Sequence, residues 1–383
     1  MTIFILIIYM LGSTIPLPFA RVTSQYNQLL NETPISIISF VSGANLMKLS
    51  LFMIGLNPFM IAMIFVQLLS LMKLFGLDSL STTKLMKLQQ GLTLIFTLIQ
   101  ATTMTIAFHL VAGMYKTIAV IIILTAGSLF VVWLGFMNMQ FGIGGTVTII
   151  LFNIITMSLP TIRKAVRNLT SFSYPYFWIS LLIIVSLLII FFWNAFSHAY
   201  YPLKVINTSL SSRDDPVTIP IGLNLGAMMT YMIGMALLTM PTMLGNLLGA
   251  RSIFANYYFD AIISGLLAFV LFYFFAFMQF NPKEKAKQFR NENNYIPGVR
   301  PGKPTQRYLQ KRLFLVCLPG AILNPIQLVL GLLGPHFLGK FAGFAVIPMY
   351  SVMVVMFMTS LKDTILTLLY PRKYDRLSRK EGD

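Results

Sequence analysis

Apolar residues run in long blocks along the chain, separated by short polar breaks, with no strand-like alternation over any extended length. A run of about 20 apolar residues spans a bilayer's hydrocarbon core. Ten runs approach that length, near 2–19, 57–74, 89–112, 117–137, 146–160, 174–195, 221–244, 258–280, 312–333 and 343–369. The fifth is short. The first lacks a basic leading segment and a small-residue cleavage site, so it reads as a membrane helix rather than a secretory signal. The pattern predicts an all-α polytopic membrane protein with ten transmembrane helices.

Composition agrees. Of 383 residues, 57% are hydrophobic and only 10% charged; a typical soluble domain carries roughly a quarter charged residues. Such a chain cannot hide its apolar surface from water and needs lipid as its solvent. The formal net charge of +17 does not point to nucleic acid, because the basic residues sit between apolar runs and read as a topology signal. With ten spans, 20 of the 28 Lys and Arg residues fall on the side of the termini and eight on the other. Both termini are therefore expected in the cytosol. Arg163, Lys164 and Arg167 go against this majority and fall outside.

Two hydrophilic segments stand out on the cytosolic side. Residues 281–311 form the longest polar stretch and are rich in Lys, Arg, Pro and Gly. Residues 197–220 begin Ser-His-Ala-Tyr-Tyr-Pro and contain Arg213, Asp214 and Asp215. Large loops on one face of a membrane protein commonly carry docking sites, although a solvated connector would look the same.

Candidate chemistry is sparse. One cysteine, Cys317, excludes an internal disulfide, and His109, His198 and His336 lack metal-ligand spacing. No Ser/His/Asp set, HExxH or paired intramembrane carboxylates occur, so no enzymatic activity, metal or cofactor is expected. Gly298-Val-Arg-Pro-Gly302-Lys303-Pro304 is one residue short of a phosphate-binding loop, with proline where Ser or Thr is needed. None of the 11 acidic residues lies at the centre of a span, which argues against a proton relay. The spans instead carry neutral polar residues: Asn57, Gln67, Gln100, Asn153, Asn224 and Gln327. These serve either interhelical hydrogen bonding or a polar seam that opens.

Two breaks interrupt the helical pattern. Gly55-Leu56-Asn57-Pro58 separates residues 44–55 from the second span, since proline removes a helix hydrogen bond and crowds the preceding turn. The separated piece is too short to span, so it must be buried in protein or line a cavity. It reads as a plug folded back from outside, or as an interfacial helix. Phe141-Gly-Ile-Gly-Gly145 makes the second break.

Four stretches resemble the SecY/Sec61 family of protein-conducting channels: Leu11-Gly-Ser-Thr-Ile-Pro-Leu-Pro18, Ser50 to Leu69, Leu124 to Gly135 followed by Gly142-Ile-Gly144, and Tyr295-Ile-Pro-Gly-Val-Arg-Pro-Gly-Lys-Pro-Thr305. They occur in family order, and the resemblance spans essentially the whole chain. The departures are a missing charged extension before the first helix, a short loop between helices six and seven without a basic cluster, and methionine at pore-facing positions. These are similar to accessory SecY paralogues of Gram-positive bacteria.

The resemblance implies two inverted five-helix halves, 1–160 and 161–383, around an hourglass pore in the bacterial plasma membrane. It implies a pore ring of Leu56, Met60, Val147, Leu151, Met232 and Met353, a plug near 44–55 that includes Asn45, Leu46, Met47, Lys48, Leu49 and Phe52, and a lateral gate with Gln67 and Gln100. Motor docking would fall to Arg300, Lys303 and Arg307. Implied partners are an accessory SecA-type ATPase, small membrane subunits and a secreted preprotein, typically a large serine-rich glycosylated adhesin. The pairs Leu56/Met60 and Val147/Leu151 are spaced i,i+4 and share a helix face. The alternatives are a secondary transporter for a small solute, because broken helices also mark those, or a divergent housekeeping or plastid SecY.

Overall fold

The protein is described by a computed structural model covering residues 1–20, 49–71, 81–107, 110–111, 113–172, 174–207, 217–231, 257–338, 341 and 343–369. The helices are α1 (Thr2–Thr14), α2 (Asn57–Leu71), α3 (Thr82–Ala107), α4 (Met114–Phe141), α5 (Gly145–Thr170) and α6 (Pro175–His198). After strands β1 (Tyr200–Asn207) and β2 (Val217–Gly222) come a short turn α7 (Ala227–Met229), α8 (Tyr257–Phe280) and α9 (Pro282–Asn291). Strand β3 (Asn294–Tyr295), α10 (Lys303–Leu338) and α11 (Gly343–Leu369) complete the described order.

Among the described residues, six helices are long and apolar enough to cross a membrane, and two shorter apolar ones lie at Thr2–Thr14 and Asn57–Gln67. The protein is a multi-pass membrane protein. The helix boundaries follow from local chemistry. α1 stops at Thr14 because Ile15 precedes Pro16 and is extended, at φ −69° and ψ 118°. Pro58 sits in the first turn of α2, where a missing N–H leaves no bond unmade. α3 starts in polar sequence, and its threonines hide their hydroxyls within the helix. Thr93 donates to the Gln89 carbonyl at 2.7 Å, Thr97 to Thr93 at 2.6 Å and Thr105 to Ala101 at 2.7 Å. Each polar side chain is thereby satisfied without a partner helix.

The expectation of an all-α protein needs correction. The chain is mostly helical, but residues 197–220 are not a plain loop. Their described residues end α6 and supply β1 and most of β2, which pair antiparallel, and β3 joins them to give a three-stranded sheet ordered β2-β1-β3. Leu203, Val205 and Ile221 are buried on one face. Prolines oppose each other at Pro202 and Pro220. Two residues without N–H fit only a pair that exchanges no hydrogen bonds, so neither costs the ladder a donor. The polar stretch 281–311 is likewise largely regular, comprising α9, β3 and the first turns of α10. Pairing of Ile206 with Tyr295 and Asn207 with Asn294 ties these two polar segments together.

Two compact units form. One contains the described residues up to Pro175 and those from Met353 to Leu369; the other contains the described residues from Tyr176 to Val352. In the second unit α8 packs on α10, with the Tyr273 and Phe314 rings stacked at 4.7 Å. One side of α10 then carries the chain that leaves the sheet. The Arg312 guanidinium lies over the Tyr201 ring at 5.8 Å and the Tyr308 ring at 5.2 Å. Further down, Asn324 Nδ2 donates to Asn224 Oδ1 at 2.8 Å, and the Tyr231 hydroxyl donates to the Asn324 carbonyl at 3.2 Å.

The Asn324–Asn224 pair gives a direct prediction. Asn324→Leu should destabilise the protein in detergent by about 1 kcal/mol, the usual scale of an interhelical polar contact. The check is a lowered thermal unfolding midpoint, with Gln327→Leu as a reference.

Candidate pore segment and its seat

Residues 49–56 connect to α2 and are held from three directions. First, the segment zips to the end of α1. Pro16 and Ser50 form an antiparallel bridge, Leu17 N–H donates to the Leu49 carbonyl at 2.8 Å, and Leu51 N–H donates to the Ile15 carbonyl at 3.1 Å. Second, the Phe52 ring stacks between Tyr9 of α1 and Phe130 of α4, each at 5.9 Å. Third, Ser128 of α4 donates through its hydroxyl to the Gly55 carbonyl at 2.8 Å. Gly55 has φ 61°, a left-handed conformation that glycine adopts without steric cost. It turns the chain directly into α2.

Close approach makes this seat work. A Cβ on Gly12 would overlap the Phe52 ring, and a Cβ on Gly127 would overlap the Leu51 carbonyl oxygen. Both helices therefore present bare backbone where the segment lies. Phe52, Met53, Ile54 and Leu56 are buried as a result. α1 is itself fixed along its length. The Thr2 hydroxyl accepts from Ile143 N–H at 2.9 Å, and the Tyr9 hydroxyl donates to Asn153 Oδ1 at 3.2 Å. Sequence reasoning missed Gly12, Gly127 and Ser128. The signal was present in Leu124-Thr-Ala-Gly-Ser128, a small-residue patch within an otherwise bulky span.

The other sequence-derived positions fall as follows. Leu56 and Met60 are buried at the start of α2, and the Met60 N–H donates to the Leu56 carbonyl at 3.0 Å. On α5, Leu151 is buried and Val147 half-buried; Met353 on α11 is buried. Met232, Asn45, Leu46, Met47 and Lys48 lie outside the described residues. Leu49 is half-buried and packs against the cluster of Met53, Ile54, Met104 and Leu124. Gln67 and Gln100 are both half-buried, on packed neighbours α2 and α3. They are not level. Phe65 meets Phe96 edge-on at 6.1 Å, which in an antiparallel pair leaves the two glutamines about 9 Å apart along the axis at 1.5 Å per residue. Among the described residues, Ser50 Oγ, Asn57 Oδ1 and Gln67 Oε1 are buried without a hydrogen-bond partner, as are Asn138 Oδ1 on α4 and Asn324 Oδ1 on α10.

Arg300, Lys303 and Arg307 are all exposed. Their loop is braced rather than slack. Thr305 donates through its hydroxyl to the Arg300 carbonyl at 2.8 Å, and Val299 N–H donates to the Ile296 carbonyl at 3.1 Å. Ile296 is buried, and β3 fixes the loop's entry.

This geometry coincides with a known family pattern: the SecY family model matches residues 50–360. The chain belongs to the SecY family. It is 48% identical over 376 residues to the accessory Sec system protein translocase subunit SecY2 of Lactobacillus johnsonii, covering 98% of this chain and 95% of that one. It is 31% identical over 341 residues to the SecY2 subunit of Streptococcus oralis, covering 84% and 83%. A solved structure described as a protein conducting channel superposes with a TM-score of 0.63 at 15% identity, over 97% of this chain and 92% of that one. That likeness establishes the SecY-type fold. Within it, the residue 49–56 seat belongs to the matched region from Ser50 onward.

The seat predicts an asymmetry between its two glycines. Gly12→Ala should cost about 1–3 kcal/mol by overpacking, and Phe52→Leu in the same chain should recover most of the loss. Gly127→Ala should cost a similar amount, but Leu51→Ala should not rescue it, because the obstacle is a backbone oxygen. Thermal unfolding of the four variants in detergent is the measurement.

Proposed function

We propose that this chain is the protein-conducting channel of an accessory Sec translocase in a bacterial plasma membrane, passing unfolded polypeptides driven by a partner SecA-type ATPase. The observation that carries the reading is the 48% identity, over nearly the whole chain, with an accessory SecY2 subunit. By the same reading, ten helices form two inverted halves around an hourglass pore, and both termini are cytosolic. The excess of Lys and Arg on the terminal side supports that orientation. The cargo class is a large serine-rich adhesin, and small membrane subunits complete the assembly.

The waist is assigned to Leu56, Met60, Val147, Leu151, Met232 and Met353. An apolar constriction excludes ions by dewetting yet yields to a polypeptide. Methionine suits it, since an unbranched thioether adapts to varied side chains. Residues 44–55 act as the plug. The seating of residues 49–56 on α1 and α4 supports an anchoring role for this part of the segment. The unpaired oxygens of Ser50, Asn57 and Gln67 support a seam that takes up water on opening, since an unpaired buried oxygen costs roughly 1–3 kcal/mol. Gln67 and Gln100 are assigned to the lateral gate through which a signal sequence meets lipid.

Motor docking is assigned to Arg300, Lys303 and Arg307. Arginine pairs bidentately with carboxylates, and the bracing by Thr305 and β3 lowers the ordering cost of binding. The chain contributes conduction and the partner contributes ATP hydrolysis. Neutral rather than charged side chains in the spans disfavour an ion-coupled solute transporter.

Arg300→Glu should leave membrane insertion intact and abolish motor-driven export, because reversal places like charges at a prearranged contact. Export into inverted membrane vesicles with the cognate ATPase is the assay. Wild-type export by the variant would remove Arg300 from the docking site. Met60→Asn should add ion conductance to the closed channel in a planar bilayer, and an unchanged closed-state current would remove Met60 from the waist.

A further inference from the structure

We infer that the C-terminal end of α5 is a binding surface for anionic phospholipid headgroups, formed by Arg163, Lys164 and Arg167. This surface is separate from the pore and from the motor loop, and it requires only that the protein spans a membrane.

Three observations converge. The first is depth. α5 begins at Gly145, and about 20 residues at 1.5 Å each cover the roughly 30 Å hydrocarbon core. The core therefore ends near residue 165, and the three cations straddle that level. The second is direction. Ile155, Leu159 and Ile162 are exposed on α5, and their 100° steps define one outward line. Arg163, Arg167 and Thr170 continue the same line and are exposed, while Ala165 and Leu169 turn inward and are buried. The exposed line of α5 thus turns from apolar to basic near residue 163. Long basic side chains suit that level, with their stems along apolar surface and their charges in the polar layer. Tyr174, also exposed, follows after the helix end, as expected of an interfacial aromatic.

The third observation is the lack of acidic residues along the neighbouring stretch of chain. No Asp or Glu occurs anywhere between Asp78 and Asp214. Nothing on α3 to α6 can neutralise the stripe, although α5 ends with its own partial negative charge, which favours cations there. Three basic residues with no acid on their own or sequence-adjacent helices suit an external anion. Phosphodiester headgroups supply one at the required depth.

The test uses the full chain with Cys317→Ser and a single reporter, Ser171→Cys labelled with a fluorophore. It is reconstituted in vesicles of equal phosphatidylglycerol and phosphatidylcholine, one of which carries a nitroxide. Nitroxide phosphatidylglycerol should quench the reporter more than nitroxide phosphatidylcholine, corresponding to local enrichment of about fivefold, and added salt should reduce the difference. The triple variant Arg163→Gln, Lys164→Gln, Arg167→Gln should remove the preference, while Arg163→Lys with Arg167→Lys should retain it. Equal quenching by the two lipids in the native sequence would overturn the inference. So would a preference that survives the triple variant. Shielding from both lipids would mean that a second copy covers the stripe, and would overturn it as well.

Discussion

Phe52 has room for its ring only because position 12 of α1 carries no side chain, and Leu51 can lay its carbonyl on α4 only because position 127 carries none. Much of the first unit follows from that fit. With the segment in place, Gly55 turns the chain, Asn57 and Pro58 start α2, and Leu56 and Met60 arrive side by side on a buried face. A channel needs a part that moves and a part that does not. The seat supplies a fixed point next to the proposed waist, built from backbone proximity, one hydroxyl and three stacked rings. Close packing of this kind is intolerant of single added carbons, which is why it can hold the segment in one position.

Neutral polar residues in the spans take on two different characters once their surroundings are known. Asn153 accepts from Tyr9, and Asn224 accepts from Asn324; these tie helices together within lipid, where no water competes for the bond. Among the described residues Asn57 and Gln67 keep a buried oxygen without a partner, as Asn324 does at its own Oδ1 while its Nδ2 is engaged. The sequence offers the same residue types in both cases. What separates them is whether a donor lies across the helix interface, a fact of packing rather than of composition.

Helix ends were the most legible part of the chain. Asn57-Pro58 and the Phe141–Gly145 break act through local backbone chemistry and coincide with observed boundaries, whereas the first run, expected near 2–19, ends as a helix at Thr14 ahead of Pro16. The sheet was not legible. Pro202 and Pro220 argue against strands when read one at a time, and only their mutual opposition makes them acceptable. β3 is two residues long and is defined wholly by its partner. The start of α10 at Lys303 was also hidden, because a polar basic segment there forms the first turns of a long apolar helix. At the candidate site the exposed basic loop followed from residue type, whereas the glycine seat did not. A glycine's bare face matters only in relation to what approaches it.

If the proposed waist lies at the start of α2, a translocating polypeptide passes the buried face of Leu56 and Met60. A photoreactive residue at Met60, with a second chain carrying it at the exposed Leu187 of α6, tests this directly. A translocating polypeptide is stalled in the channel and the membranes are irradiated. The account predicts an adduct between Met60 and the stalled chain, absent when the partner ATPase is omitted, and none from Leu187. No adduct at Met60, or equal yields at the two positions, would contradict it.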